Sequence, residues 1–445
     1  MLKNIAKRWL RGKLTMAEPL YIGIDVGTSG VRTAVVNRTG EPLSFARAQH
    51  HRQTGDGIDA SLWWSAVEDC LLAQMEAMTS TDLDAADVRA IAVDGTSGSM
   101  VLIDEAGTPV TPALMYDSKG FDKEAERISN YAPDGHITLG NSSALGRVLR
   151  LQTYDVHGQA RWIAHQADYI AGCLRGEFGV SDYNNALKTG FDPEAQTWPA
   201  WFAHTGLRTE LLPGVAAPGD EIGGVSSSVA SKFGLPTGTK VHAGTTDSIA
   251  AFLATDASEV GDAVVSLGST LAIKMLSDVR VDDPARGIYS HRLAGRAGAA
   301  MWLVGGASNT GGAVLADLFT TEQIVALSAD IDPSVDSGLA YYPLRKAGER
   351  FPVSDSSKRP VLTPRPDDDA HFLHGLLESM ARIERQCFDA LKTLGAPEPK
   401  RVLTAGGGAQ NPAWTALRKR IVSPNVQAAA EAEAAIGAAR LCLPR

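Results

Sequence analysis

The chain has 445 residues, of which 42 are Lys or Arg and 51 are Asp or Glu, giving a net charge of −9; 44 are glycine, where about 7% is usual. That length exceeds one hydrophobic core and asks for two or three domains, while the acidic balance with no long basic run argues against a nucleic-acid partner. No apolar stretch approaches the roughly 20 residues that span a bilayer. Four scattered cysteines (Cys70, Cys173, Cys387 and Cys442) form no CxxC pair, which argues against zinc or disulfides and for a reducing, cytoplasmic setting.

Met1–Thr15 carries five basic residues and no acid. Residues 1–19 are read as an extension ahead of the fold, with Met16 as the start; a targeting segment or surface-binding amphipathic helix is the other reading. From Leu20, the runs LYIGID and VRTAVV around the turn VGTSG, followed by NRTGEPL, predict a β-hairpin or meander. Leu62, Val67, Leu71, Met75 and Met78 recur near helical spacing and predict a helix over Ser61–Met78. Val88–Val93 reads as a buried strand ending at Asp94-Gly95-Thr96-Ser97-Gly98, with a short strand after it at Met100–Ile103. The stretch 117–236 is mixed and helical, and LPTGT at 235–239 punctuates the chain. A second strand-rich region opens at Lys240. In it Asp262–Ser266, Gly268-Ser269-Thr270 and Leu271–Met275 repeat the order strand, glycine turn, strand, as a duplicated α/β unit would. Phe372, Leu376, Met380, Ile383, Cys387, Leu391 and Leu394 predict a long amphipathic helix stopped at Gly395. Arg401–Ala405 then reads as a strand entering Gly406-Gly407-Gly408, and Asn411-Pro412 as a helix start. The predicted domains are 20–240 and 241–445.

Glycine turns between strands bring backbone N–H groups against phosphate oxygens. Gly27-Thr28-Ser29-Gly30 and Gly268-Ser269-Thr270 are such turns with hydroxyls added, and neither is a Walker loop. Asp25 ends a strand just before the first of them, where Mg²⁺ shared with phosphate oxygens would reconcile the two negative groups. Asp247 follows Gly244-Thr245-Thr246 and precedes an apolar run, so it opens a helix as a capping residue or serves as a base toward a substrate hydroxyl.

YIGIDVGTSGVRTAVV, AVDGTSGSMVLID, HAGTTDSIAAFLA, VVSLGSTLAIK, GGASNTGG and LTAGGGAQNPAW together resemble the FGGY carbohydrate kinases, in motif order and over nearly the whole chain. In wording they are closest to the compact ribulose kinases of cyanobacteria and plants. The resemblance implies an α/β fold of two ribonuclease-H-like domains flanking a cleft, as in actin, the Hsp70 ATPase and hexokinase, with the sugar mainly on the first domain and ATP on the second. It makes Asp247 the catalytic base. It gives Asp25 to the Mg²⁺ and sugar region, Thr28 and Ser29 to the γ-phosphate side, and Ser97 to a sugar hydroxyl. Gly268, Ser269 and Thr270 match the second phosphate loop, with Asn309 and Gly311-Gly312 nearby, and Gly407, Gly408, Asn411 and Trp414 match positions that clasp adenine and ribose.

Gly95-Thr96-Ser97-Gly98 stands where typical xylulose kinases carry a Gln-Met-His-like segment, which favours D-ribulose over D-xylulose or a pentitol. The expectation is an ATP- and Mg²⁺-dependent kinase of the terminal hydroxyl of a ketopentose, a cytoplasmic monomer or homodimer with no nucleic-acid or membrane partner. An ATP-binding sugar sensor is the rival of another class. Trp63-Trp64 reads as core, His50-His51 and His371/His374 as surface or capping residues, and Arg382, Arg385, Arg418, Lys419 and Arg420 as solvated faces.

Overall fold

A computed structural model of the chain describes residues 18–50, 58–294 and 300–444. Met1–Thr15 and His51 lie outside them. The first lobe is built on β1 (Leu20–Val26), β2 (Gly30–Val36), β3 (Pro42–Gln49), β4 (Val88–Gly95) and two small strands, β5 (Met100–Ile103) and β6 (Trp162–His165). It continues through β7 (Val180–Asp182), β8 (Gly214–Ala216), β9 (Glu221–Gly224) and β10 (Lys240–Thr246). Its main sheet runs β3-β2-β1-β4-β10-β9: β1, β2 and β3 are antiparallel, β1, β4 and β10 are parallel, and β9 returns antiparallel at the edge. Strands β1 and β4 are buried along almost their whole length, as a parallel sheet covered on both faces requires.

The second lobe repeats the plan with β11 (Asp262–Leu267), β12 (Leu271–Ser277), β13 (His291–Ala294), β14 (Ala300–Ser308), β15 (Arg401–Ala405) and β16 (Val426–Ala428). Here the order is β13-β14-β12-β11-β15-β16, with β14, β12 and β11 antiparallel and β11, β15 and β16 parallel. Both sheets therefore hold three antiparallel strands followed by two parallel crossovers, and each adds one edge strand of its own. The duplication suggested by the glycine turns is one of topology, and the two lobes have the expected ribonuclease-H-like architecture.

Helices form as predicted at Ser61–Ser80, Asp369–Thr393 and Pro412–Ile421, the last with Asn411 as N-cap accepting from the Trp414 amide at 2.9 Å. Trp63 is buried in the first core. The domain boundary at 240 is corrected. Strand β10 pairs with β4 and β9, and its buried Val241 packs in the first core, so LPTGT is only the turn leading from the helix Ser227–Phe233 into β10.

The end of the chain also returns to the first lobe. In the helix Ala434–Arg440, Ala435, Ile436 and Ala439 pack with Tyr21, Ala34, Val36, Ala90 and Ala92. Beside it runs the helix Asp247–Ala254, whose Ile249 and Phe252 pack on Val264, Leu276, Leu303 and Leu403 of the second sheet. These two helices form the seam between the lobes. Glycines permit the close approach: a Cβ on Gly437 would lie 1.8 Å or less from a neighbouring backbone oxygen, at 1.7 Å from that of Ala250. A Cβ on Gly23 would lie 1.8 Å from the Ala435 oxygen. Among the described residues no helix is long and apolar enough to cross a membrane.

Candidate active site

The carboxyl ends of β1, β4 and β10 converge. Asp25 stands in register with Asp94, and Asp94 with Thr245, two residues before Asp247. Asp25 is almost fully buried, and its Oδ2 accepts from Arg32 Nη1 at 3.0 Å. Asp94 is fully buried, and burial, Asp25 and Asp247 together hold its carboxyl well above the usual range. Asp247 is the first helical residue and Thr246 the N-cap; Asp247 Oδ1 accepts from the Ser248 amide at 2.6 Å.

The turn Gly27–Gly30 closes β1 onto β2, with the Gly27 amide donating to the Gly30 carbonyl and Thr28 and Ser29 exposed at its tip. His50, read from the sequence as a surface residue, hydrogen-bonds through Nε2 to the Gly27 carbonyl at 2.7 Å. After β4, the Thr96 amide and hydroxyl both donate to Gln166 Oε1, and Arg147 donates to the Gly98 carbonyl. This bracing leaves the hydroxyl of Ser97, a half-buried residue, without a partner among the described residues.

On the second sheet three glycine-bearing turns lie side by side, because β11 neighbours both β12 and β15 and β12 neighbours β14. The first is Gly268-Ser269-Thr270, with Ser269 and Thr270 exposed. Behind it, the Gly312 amide donates to the Gly268 carbonyl at 2.8 Å, so Gly312 shapes the turn from the rear. Asn309 is engaged at both ends of its amide, donating to Gly348 O and accepting from Arg350 Nε. The third turn holds Gly407, where an added Cβ would meet open space, and Gly408, where it would strike Leu267 and Trp414.

One expected contact is corrected. Trp414 is 2% exposed and belongs to the second core, because its helix turns the indole inward; it supports the Gly408 turn from below and presents no face to a ligand. Asn411 likewise spends its side chain on the cap and on Ser328 Oγ at 2.8 Å.

A cationic group to which the motifs assign no role completes the site. Lys274, on β12 next to the second glycine turn, donates Nζ to the Ser248 carbonyl at 2.5 Å and so reaches across to the residue after Asp247. Burial pushes its ammonium down to about 7, against the pull of Asp247. Lys188, from the helix Tyr183–Thr189, donates to Tyr289 Oη at 2.6 Å and also acts on Asp247; its charge holds the Tyr289 phenol below its usual range. His291 lies tilted against Tyr289, with ring centroids 5.1 Å apart, and burial pushes its imidazolium well below the usual range. The arrangement is a carboxylate set on the first sheet, donor-rich turns on the second, and lysines where the two meet.

The amino-terminal domain model of the FGGY carbohydrate kinases matches residues 20–254, and the carboxy-terminal domain model matches residues 263–443. The chain belongs to the FGGY family of carbohydrate kinases. It is similar to the xylulose kinase of Staphylococcus xylosus, 23% identical over 94% of this chain and 89% of that protein. It is also similar to the xylulose kinase of Streptomyces coelicolor, 29% identical over 60% and 56%. Among solved structures, a xylulose kinase from Rhodospirillum rubrum aligns with a TM-score of 0.80 at 23% identity, covering 95% of this chain and 89% of the other. A glycerol kinase from Plasmodium falciparum with ADP aligns with a TM-score of 0.82 at 14% identity and the same coverage, a likeness of fold. The protein is thus an ATP-dependent sugar kinase. The family's characteristic lobes part between Ala254 and Ala263, after the helix that Asp247 opens.

Among the described residues no three metal-ligating side chains form a ready site. A kinase cation needs less, since Mg²⁺ takes one or two carboxylates and completes its shell with phosphate and water. Asp25, almost fully buried at the end of β1 just before the first glycine turn, is a carboxylate of that kind.

Proposed function

We propose that this kinase phosphorylates the terminal hydroxyl of a ketopentose, with D-ribulose as substrate and D-ribulose 5-phosphate as product, in the cytoplasm. The observation that carries the reading is the position of Asp247. It opens a helix at the end of the first sheet while Lys274, beside the second lobe's phosphate-type turn, bonds to the very next residue.

In this reading Asp247 accepts the proton as the sugar oxygen attacks the γ-phosphorus in line. Lys274 and Lys188 offset negative charge on the acceptor side, a term that grows where water is excluded. Thr28, Ser29, Ser269, Thr270 and the turn at Gly407, where the backbone faces open space, hold the nucleotide's phosphates and ribose through neutral donors. Asp25 would hold Mg²⁺, which when bound neutralises charge on the β- and γ-phosphate oxygens. Ser97 offers its spare hydroxyl to the sugar, and approach of the lobes about their helical seam would exclude water as a competing acceptor.

The choice of D-ribulose is supported by the short side chains of Gly95–Gly98, which suit a sugar loop that reads its ligand at close range. D-xylulose, differing only in configuration at carbon 3, is the second reading, supported by the xylulose kinases among the relatives. A coupled assay of ADP release over pentuloses and pentitols decides between them. The highest kcat/KM is expected for D-ribulose, and a preference for D-xylulose or a pentitol overturns the assignment.

A further inference from the structure

Strands β1 and β4 run parallel with Asp25 directly opposite Asp94, so the two carboxyl groups leave the same face of the sheet on chains about 4.8 Å apart. Their surroundings differ. Asp25 receives Arg32, and Asp247 receives the Ser248 amide and lies within the field of Lys274. Asp94 is 0% exposed, and neither of its oxygens has a hydrogen-bond partner among the described residues. The polar groups that follow it in sequence are already committed, Thr96 to Gln166 and Ser99, and Ser99 to the Tyr116 amide. The register places the Asp94 carboxyl on the same face of the sheet as that of Asp25, its direct neighbour across the strands.

A buried carboxyl group with no donor is costly to keep unless something meets it there. Among the described residues, two cations of this site are already engaged, Lys274 at the Ser248 carbonyl and Arg32 at Asp25. We propose that Asp94 is a second protein carboxylate for the divalent cation that accompanies the nucleotide, so that the ion is held between Asp25 and Asp94. This rests on the kinase reading above, which brings the phosphates to these strand ends. Two protein carboxylates, with phosphate and water for the rest, is a shell that Mg²⁺ commonly accepts.

The test uses Mn²⁺ with ADP on the full chain, without turnover, reading bound Mn²⁺ by electron paramagnetic resonance and heat of binding by calorimetry. Asp94→Asn keeps the shape and removes the charge. It is expected to weaken Mn²⁺ binding in the presence of ADP by about tenfold or more, as loss of a metal partner does. ADP alone should bind both proteins equally, and the metal-free variant should melt no lower than the parent. Asp94→Ser repeats the measurement should the amide fail to fold. Parental Mn²⁺ affinity in either variant overturns the proposal while leaving the kinase reading intact. A parent protein that binds no Mn²⁺ even with ADP removes the nucleotide reading instead.

Discussion

At Asp247 burial and the charge of Asp25 favour the protonated acid, whereas the Ser248 amide, Lys274 and Lys188 favour the anion; burial is the largest of these and the carboxyl sits above its ordinary range. A base must be ionised, so activity should rise as pH climbs through that elevated value. Lys274 runs the opposite way: it gives up its proton from about pH 7, and the rate should fall beyond it. A bell-shaped kcat/KM profile is the expected outcome. Lys274→Arg should move only the alkaline limb to higher pH, because a guanidinium keeps its proton; an unchanged limb would remove Lys274 from the chemistry. Asp247→Ala should lower kcat by roughly 10²–10⁴-fold with sugar affinity little altered, as measured by coupled ADP release. Asp25 and Asp247 could be picked out from the sequence because the first closes an apolar run ahead of a glycine turn and the second opens one after Gly244-Thr245-Thr246. The roles of Lys188, Lys274, Tyr289 and His291 could not, since they come from three separate segments that meet only after both lobes have folded. His50 was missed for the same reason: nothing local announces that its ring reaches back to Gly27.

The helix Pro412–Ile421 shows how an element can mislead. Its run of three bases was read as a solvated face, yet Arg418 is fully buried, four residues from Trp414 and one from Leu417 on the inward side. Its guanidinium forms a two-pronged pair with Glu384 at 2.6 and 2.8 Å and donates to Thr404 Oγ1 at 2.6 Å, while Glu384 is itself fully buried in the long helix. The legible signal was helical phase, which the positive charge outweighed in the reading. Arg418→Met should destabilise the protein by about 3–5 kcal/mol in urea unfolding, because Glu384 would be left as an unpaired buried charge. Arg418→Met with Glu384→Leu should recover most of that loss, since removing both partners leaves no orphan. Trp414 was read as a ligand contact on motif position alone; the same helical phase places it in the core.

Across the whole molecule, the strand runs and their glycine turns made the two repeated sheets legible, whereas the division between them was not. A turn before β10 resembled a boundary, and nothing in the last dozen residues announced that they cover the first sheet. Part of the glycine excess also has a different cause from phosphate binding: Gly437 lets the two seam helices touch backbone to backbone, and Gly23 lets β1 meet the helix Ala434–Arg440 in the same way. Gly437→Val should therefore lower the melting temperature of the whole protein, read by calorimetry. Deleting residues 434–444 should bare Tyr21, Val36 and Ala92 and make the first lobe, at the far end of the sequence, the preferred target in limited proteolysis. Cleavage confined to the second lobe would contradict this account. The same helix governs how the protein is made. Strand β1 leaves the ribosome early, but its outer face is finished by Ile436, so at typical synthesis rates this strand waits about 20–80 s for its last cover. During that interval an apolar sheet face stands open, a natural place for a chaperone to hold the nascent chain.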